Sequence, residues 1–575
     1  MTRRELLALA PVSAFGQMAS RGVKPMPRGK PSGLPFHAHF TDVAAHAGLR
    51  EPVIYGGLDR NLYIIEPMGS GIAFFDYDND GWLDIFLLGG SRLEGPPPGA
   101  TNRLYKNNRD GTFTDVTAAA GLTRTGWACG ATIADYNNDG FDDVFITYWG
   151  QNVLYRNNGN GTFTDVTKEA GLLAPGVRWG TGCTFVDYDR DGHLDLFVSN
   201  YLKFDLKTVP PAGKLASCNW KGIPVNCGPR GLPPETQLLY HNNGDGTFRD
   251  VSVSSGIAAA KGSYGLTAVA ADFDSDGWPD IYVACDSTPS LLFRNNHNGT
   301  FSEEGLERGV ALNEDGLEQA GMGLGIGDYA CDGYLDVFKT HFTEDTPALY
   351  RNDGKGNFTD VTLRSGLGVE TRFISWGAGI VDLDNDGWPD LFWVTGSVYP
   401  EVEKKYPQFA HRTPRVIFRN LGGGKFEELL GAAGPGIEDP HASRGAAFGD
   451  FDNDGDIDIL IMNQNEPPSL LRNDVSGNDH WLKVKLVGTK SNRSAIGATV
   501  IASYGGRKQA QAVLAQSSYL SVSDRRLHFG LGAADKADLE IRWPNGGRES
   551  VRDLAANQLV TVTEGAGVVK RESFG

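Results

Sequence analysis

The chain has 575 residues, more than one ordinary domain needs, so a large domain with a smaller companion is the starting expectation. Glycine is abundant, at 75 residues, and Asn-Gly or Asp-Gly pairs recur while helix-length periodic stretches are few. That composition indicates an all-β chain of many short strands. A formal charge of −18 argues against nucleic acid as a partner, because phosphate binding needs clustered Lys and Arg. No segment approaches the roughly 18 apolar residues of a membrane helix, so no membrane-spanning segment is expected.

The chain opens with Arg3 and Arg4 ahead of a short apolar stretch ending at Pro11. This resembles a twin-arginine export signal over residues 1–20 and implies a periplasmic or extracellular destination. Downstream, an Asp-rich element begins at Asp76 and returns at Asp135, Asp187, Asp272, Asp328, Asp382 and Asp450. A hydrophobic pair with a following Asn also occurs seven times, from Leu104-Tyr105 to Leu470-Leu471. A third element, typified by Phe163 to Val166, follows the first six of those pairs. Its seventh copy, Phe40 to Val43, stands ahead of the first Asp element.

Each repeat reads as four strands joined by tight turns. Four-stranded units repeated radially leave only short edges, so residues 36–473 are expected to form a seven-bladed β-propeller with four-stranded blades. The displaced N-terminal strand, around residues 38–43, is expected to close the last blade, built from about 444–473. Irregular insertions fall at roughly 201–237 and 397–414. Residues 473–479 read as a linker, 480–566 as a small C-terminal β-sandwich-like domain with alternating strands, and 567–575 as a tail.

The Asp elements carry the chemistry. Carboxylates at positions 1, 3, 5 and 9 with Gly at 6 form an oxygen cage for a hard cation, and oxygen ligands favour calcium over zinc or copper. The ligands expected are Asp76, Asp78, Asp80 and Asp84; Asp135, Asn137, Asp139 and Asp143; Asp187, Asp189, Asp191 and Asp195; Asp272, Asp274, Asp276 and Asp280; Asp328, Asp332 and Asp336; Asp382, Asp384, Asp386 and Asp390; and Asp450, Asp452, Asp454 and Asp458. Ala330 removes one ligand from the fifth loop, so six or seven structural Ca²⁺ ions are expected. An EF-hand needs Glu at position 12. That position holds Leu87, Ile146, Val198, Val283, Lys339, Trp393 or Ile461. Residues 479–575 contain 14 Lys or Arg against 9 Asp or Glu, net +5, which leaves −23 on the rest of the chain.

These loops, with strands such as Gly71 to Asp76 and Leu154 to Asn158, resemble FG-GAP/VCBS repeats. The C-terminal segments His480–Leu482, Ser491–Arg493, Ala495–Ala498, Ser518–Ser521, His528–Gly532 and Trp543–Gly546 are similar to the ASPIC/UnbV domain. Together they resemble a bacterial relative of the cartilage-acidic-protein family. The resemblance implies a calcium-loaded propeller outside the cytoplasm and no established reaction.

Among the six cysteines, Cys218 and Cys227 share the 201–237 insertion and are expected to form a disulfide in an oxidising compartment. Cys129, Cys183, Cys285 and Cys331 read as small core residues. The insertion also holds Lys214, Trp220, Lys221 and Arg230, a ligand-binding candidate with Trp220 expected at its surface. His528 reads as a structural histidine and His341 as a residue facing the central pore. No nucleophile, base and oxyanion site assembles from the sequence. The leading expectation is therefore an exported calcium-binding scaffold, binding or adhesion-type protein that takes a protein or polysaccharide ligand. The alternative is a carbohydrate-active lyase or hydrolase using the central face of the propeller.

Overall fold

The computed structural model describes residues 20–215 and 218–574. The expected export signal lies, but for Ser20, outside the described residues. The first blade consists of Ile72–Phe75, Asp84–Leu87, Arg103–Asn107 and Phe113–Asp115, an antiparallel meander in sequence order. Five further units of the same order have inner strands Trp127–Ala134, Arg178–Val186, Gly265–Ala271, Leu324–Gly327 and Ser375–Val381. A seventh unit has Ser443–Gly449, Asp458–Asn463 and Ser469–Asn473, and its fourth strand is Phe40–Asp42. The pairing of Phe40 with Asn473 and Asp42 with Leu471 is the closure that the displaced motif predicts. All-β architecture follows from the alternation of short β-branched and aromatic runs with Gly-containing turns.

Two devices join the blades. At the inner edge, strands crowd closely enough to exclude side chains: a Cβ on Gly182 would sit 2.2 Å from the Leu266 carbonyl oxygen. Farther out, the third strand of each unit ends in an asparagine whose amide reaches the preceding unit. Asn157 Nδ2 donates to the Tyr77 carbonyl at 2.8 Å, Asn242 to Tyr136 at 3.0 Å, Asn295 to Tyr188 at 2.8 Å and Asn352 to Phe273 at 2.7 Å. Asn420 reaches Tyr329 and Asn473 reaches Leu383, each at 2.8 Å. Asn107 donates to Phe451 at 2.9 Å, so the same bond joins the first unit to the seventh.

The C-terminal domain is a pair of four-stranded sheets. One runs Leu527–Gly532, His480–Val487, Gln558–Thr563 and Gly567–Glu572; the other runs Arg507–Ala512, Thr499–Tyr504, Lys536–Arg542 and Arg548–Ala555. The strand Gly567–Glu572 corrects the reading of 567–575 as a tail. Gly565 and Gly567, both at positive φ, turn the chain back onto Gln558–Thr563.

This domain sits on the end of the propeller where the Asp loops lie and sends residues 515–524 into the ring's centre. Val522 exchanges backbone hydrogen bonds with Ile72 and Phe74 of the first blade, and Ser518 with Leu324 of the fifth. Gln516 donates to Ala131 and accepts from the Cys183 amide. Tyr519 is fully buried, lies edge-on to Trp376 and donates its hydroxyl to the Met68 carbonyl at 3.1 Å.

Replacing Asn157 by Ala leaves the Tyr77 carbonyl without its donor and removes a second bond, to Asp142 at 3.1 Å. Unpaired buried acceptors cost about 1–3 kcal/mol. Asn157→Ala is expected to lower the urea midpoint accordingly, whereas Asn158→Ala, on an exposed turn, is expected to leave it nearly unchanged.

Candidate metal centres on the propeller loops

Every Asp loop joins an inner strand to the second strand of its blade and turns in the same way. Position 4 lies in the left-handed region in all seven: Asn79, Asn138, Arg190, Ser275, Cys331, Asn385 and Asn453 have φ between 52° and 62°. The Gly at position 6 is left-handed as well, Gly81 at 89° and Gly455 at 106° among them. Asn tolerates this conformation better than most residues, which explains its presence at four of the seven position-4 sites.

The turn folds the backbone around the first Asp. Asp76 accepts the amides of Asp80 and Gly81 at 2.9 and 2.8 Å, and Asp135 those of Asp139 and Gly140 at 2.9 and 2.7 Å. At position 9, Asp84, Asp143, Asp195, Asp280, Asp336, Asp390 and Asp458 each accept the backbone amide of the linking asparagine, at 2.8 or 2.9 Å. The carboxylate cage and the bonds between blades therefore share residues.

The ligand atoms converge. Oxygens of Asp76, Asp78 and Asp84 lie within 4.8 Å of one another, as do those of Asp187, Asp189 and Asp191, of Asp272, Asp274 and Asp276, and of Asp382, Asp384 and Asp390. In the second loop Asn137 bonds Asp139, its Oδ1 accepting the Asp139 amide at 3.0 Å. Among the described residues, eight aspartates have a buried carboxylate oxygen with no hydrogen-bond partner: Asp78, Asp187, Asp189, Asp332, Asp336, Asp382, Asp384 and Asp452. All eight are loop positions. Buried charges ordinarily have partners, so these orphaned oxygens fit a hard cation held by the loop. Asp332 and Asp336 bring the fifth loop into the same pattern although Ala330 supplies no oxygen.

Lys106 pairs with Asp78, Arg294 with Asp274 at 2.9 Å and Arg351 with Asp332 at 2.9 Å, each from the residue before the linking asparagine. In the third blade that residue is His241, 3.4 Å from Asp189 and 3.2 Å from Asp195. Its place in the repeat, where the other units carry Lys or Arg, is the sequence signal that marks it. The basic C-terminal domain supplies further cover. Lys483 pairs with Asp450 where both side chains are fully buried, Arg525 pairs with Asp142, and Arg526 bonds Asn453 at 2.8 Å and the Asp450 carbonyl at 3.0 Å. His528 bonds Asn385 at 2.7 Å in a buried setting, in keeping with its structural reading.

The 201–237 insertion links the second and third strands of its blade and so lies at the opposite end. Cys218 and Cys227 are disulfide-bonded, Lys214 is exposed, Lys221 pairs with Glu344 at 2.7 Å and Arg230 with Glu318 at 3.1 Å. Trp220 corrects the expectation of a surface residue. Only 6% exposed, it packs edge-on to Phe409 and against Tyr399, aromatic rings contributed by the 397–414 insertion. His341 is also buried, bonded to Asp345 and to the Ala320 amide rather than open to a pore.

A ring of four-stranded blades that turn through Asp loops, with a two-sheet domain set on the loop end, is the architecture of an FG-GAP-repeat β-propeller carrying an ASPIC/UnbV domain. The FG-GAP-like repeat family matches residues 76–146, 135–198, 233–283, 272–339 and 328–393, and the ASPIC and UnbV family matches 488–569. The chain is homologous to cartilage acidic protein 1. It is 26% identical to the Homo sapiens protein over 522 residues, covering 86% of this chain and 72% of that one, and 26% identical to the Mus musculus protein over 521 residues, covering 86% and 73%. A solved Agrocybe aegerita lectin, described as recognising non-reducing terminal N-acetylglucosamine, is similar at a TM-score of 0.35 and 18% identity, covering 62% of this chain and 79% of that one. That likeness is too loose to carry an inference. The loop at 450–458 lies outside the matched repeats yet is built as the other six are.

Burial, followed by neighbouring carboxylates, raises these acids when no cation is present. Asp135 is pushed up to about 6, Asp84 and Asp187 to about 8 and Asp143 to about 9, from an ordinary value of 3.8. Each then holds its proton more tightly folded than unfolded. Its contribution to stability is complete below the unfolded value and is lost as pH rises through the folded one. In chelator the melting temperature is expected to fall between about pH 5 and about pH 9 as these carboxyls ionise. In excess calcium the fall is expected to be small. Equal pH slopes in calcium and chelator would contradict cation holding by the loops.

Proposed function

We propose that the protein is an exported, calcium-loaded propeller that acts as a binding or scaffold protein, with its partner-binding surface on the end opposite the Asp loops. The observation that carries this reading is the placement of the C-terminal domain. It covers the loop end with basic side chains and fills the centre of the ring with residues 515–524, while the insertion end carries the long strand connections. Loops on a rigid scaffold commonly hold recognition surfaces, and the Cys218–Cys227 disulfide limits the conformational entropy lost when such a loop binds. No helix among the described residues is long and apolar enough to cross a membrane.

Calcium is the cation that best suits the loops. Their donors are aspartate and asparagine oxygens, with several carboxylates per site, and flexible oxygen cages of this kind suit calcium better than the stricter octahedron of magnesium. Seven bound calcium ions would offset 14 of the 23 net negative charges on residues 1–478, leaving −9, and would hold the position-9 aspartates anionic, so that they keep accepting from the linking asparagines. The partner is a protein or a polysaccharide.

The test is incubation of the full chain with acidic and neutral polysaccharides, in calcium and in chelator, scoring both retention and new chain ends. Calcium-dependent retention without cleavage is the expected result. Absence of both retention and cleavage, with a melting temperature much higher in calcium, would keep the scaffold reading and point to a protein partner. New chain ends that depend on this protein would establish the carbohydrate-active enzyme in place of the binder.

A further inference from the structure

At the centre of the insertion end, the strand connections enclose a cavity of about 70 Å³. Its walls include Met68, Met322, Phe342, Trp376 and Tyr399, drawn from five separate segments of the chain. Tyr519 lies beneath it, bonded to the Met68 carbonyl and packed on Trp376.

Two acceptor side chains, Asp286 and Asn226, stand in this wall alongside the hydroxyls of Tyr201 and Ser287 and the guanidinium of Arg230. Asp286 accepts from the Tyr201 hydroxyl at 2.5 Å and from the Ser287 hydroxyl at 2.8 Å. Among the described residues it forms no ion pair with Lys, Arg or His, since Arg230, the basic residue of the lining, is held by Glu318 at 3.1 Å. Asn226 is 3% exposed, and its Oδ1 is buried with no hydrogen-bond partner. Both groups are acceptors, and both line the cavity.

We propose that this cavity is a binding site for an organic ammonium ion with a compact apolar body. The carboxylate of Asp286 supplies the opposite charge, and Asn226 Oδ1 supplies a second acceptor for an ammonium N–H. The aromatic and methionine walls take the apolar part. An anionic ligand meets Asp286 with like charge. A neutral hydrocarbon leaves Asn226 Oδ1 unsatisfied, at the cost attached to a buried polar group, and offers no charge to Asp286. The site is independent of the partner-binding reading, since it uses the insertion end's central hollow rather than its outer surface.

The test is calorimetry on the full, calcium-supplemented chain with three ligands of matched shape: 2-phenylethylammonium, 2-phenylethanol and phenylacetate. Saturable binding of the ammonium is expected, with the alcohol and the carboxylate at least about tenfold weaker. Asp286→Asn is expected to weaken the ammonium by at least about tenfold while leaving the alcohol unchanged. Asn226→Asp, which adds a second carboxylate at the wall, is expected to strengthen the ammonium. If Asp286→Asn does not fold, judged by its melting curve, the wild-type ligand series and Asn226→Asp still decide the question. No ammonium binding at millimolar concentration, equal affinity for the three ligands, or an unchanged affinity in a folded Asp286→Asn would overturn the proposal.

Discussion

The structure depends on the crowding of aspartates at the turn between the first and second strands of each blade. Four oxygen-bearing side chains, or three in the fifth loop where Ala330 stands, converge where burial and mutual repulsion both disfavour charge. One of them, the position-9 Asp, also receives the backbone amide of the asparagine that bonds the preceding blade, as Asp143 receives Asn157 at 2.8 Å. The charge state of the loop is thereby connected to the joints of the ring. A cation that settles the carboxylates settles those joints too, and this gives the loops a structural task independent of any ligand.

Charge asymmetry within the chain has a matching physical use. The C-terminal domain, net +5, lies over loops that belong to a segment of net −23. Buried contacts such as Lys483 with Asp450 are costly unless well paired, so they fix where the domain sits rather than merely attracting it. The segment through Tyr519 adds a mechanical element. By bonding inner strands of several blades it fills a channel that the ring geometry would otherwise leave at its axis.

Much of this was legible in the sequence. The register of Asp76, Asp78, Asp80 and Asp84, repeated with few substitutions, specifies a turn and a cage at once, and Phe40 to Val43 announces the strand that closes the ring. What escaped was set by tertiary context. Residues 515–524 show no clean strand alternation, because their surroundings are a channel wall rather than a sheet face. Trp220 looked exposed because its neighbours are polar, yet its partners Tyr399 and Phe409 lie almost two hundred residues away in another insertion. His241 stands in a slot that holds Lys or Arg in the other six units, and the bonds of the linking asparagines to the preceding blade depend on tertiary contacts between residues such as Asn157 and Tyr77 that are far apart in the chain. The strand Gly567–Glu572 escaped because its pairing depends on a turn made by Gly565 and Gly567.

The most direct measurement is native mass spectrometry of the chain, purified in calcium and exchanged into a volatile buffer. Cation-holding loops give a dominant species six or seven calcium ions heavier than the polypeptide, and chelator returns it to the polypeptide mass. A dominant species carrying no calcium, with the fold retained, would show that the aspartates are settled by protons and by the basic C-terminal domain alone.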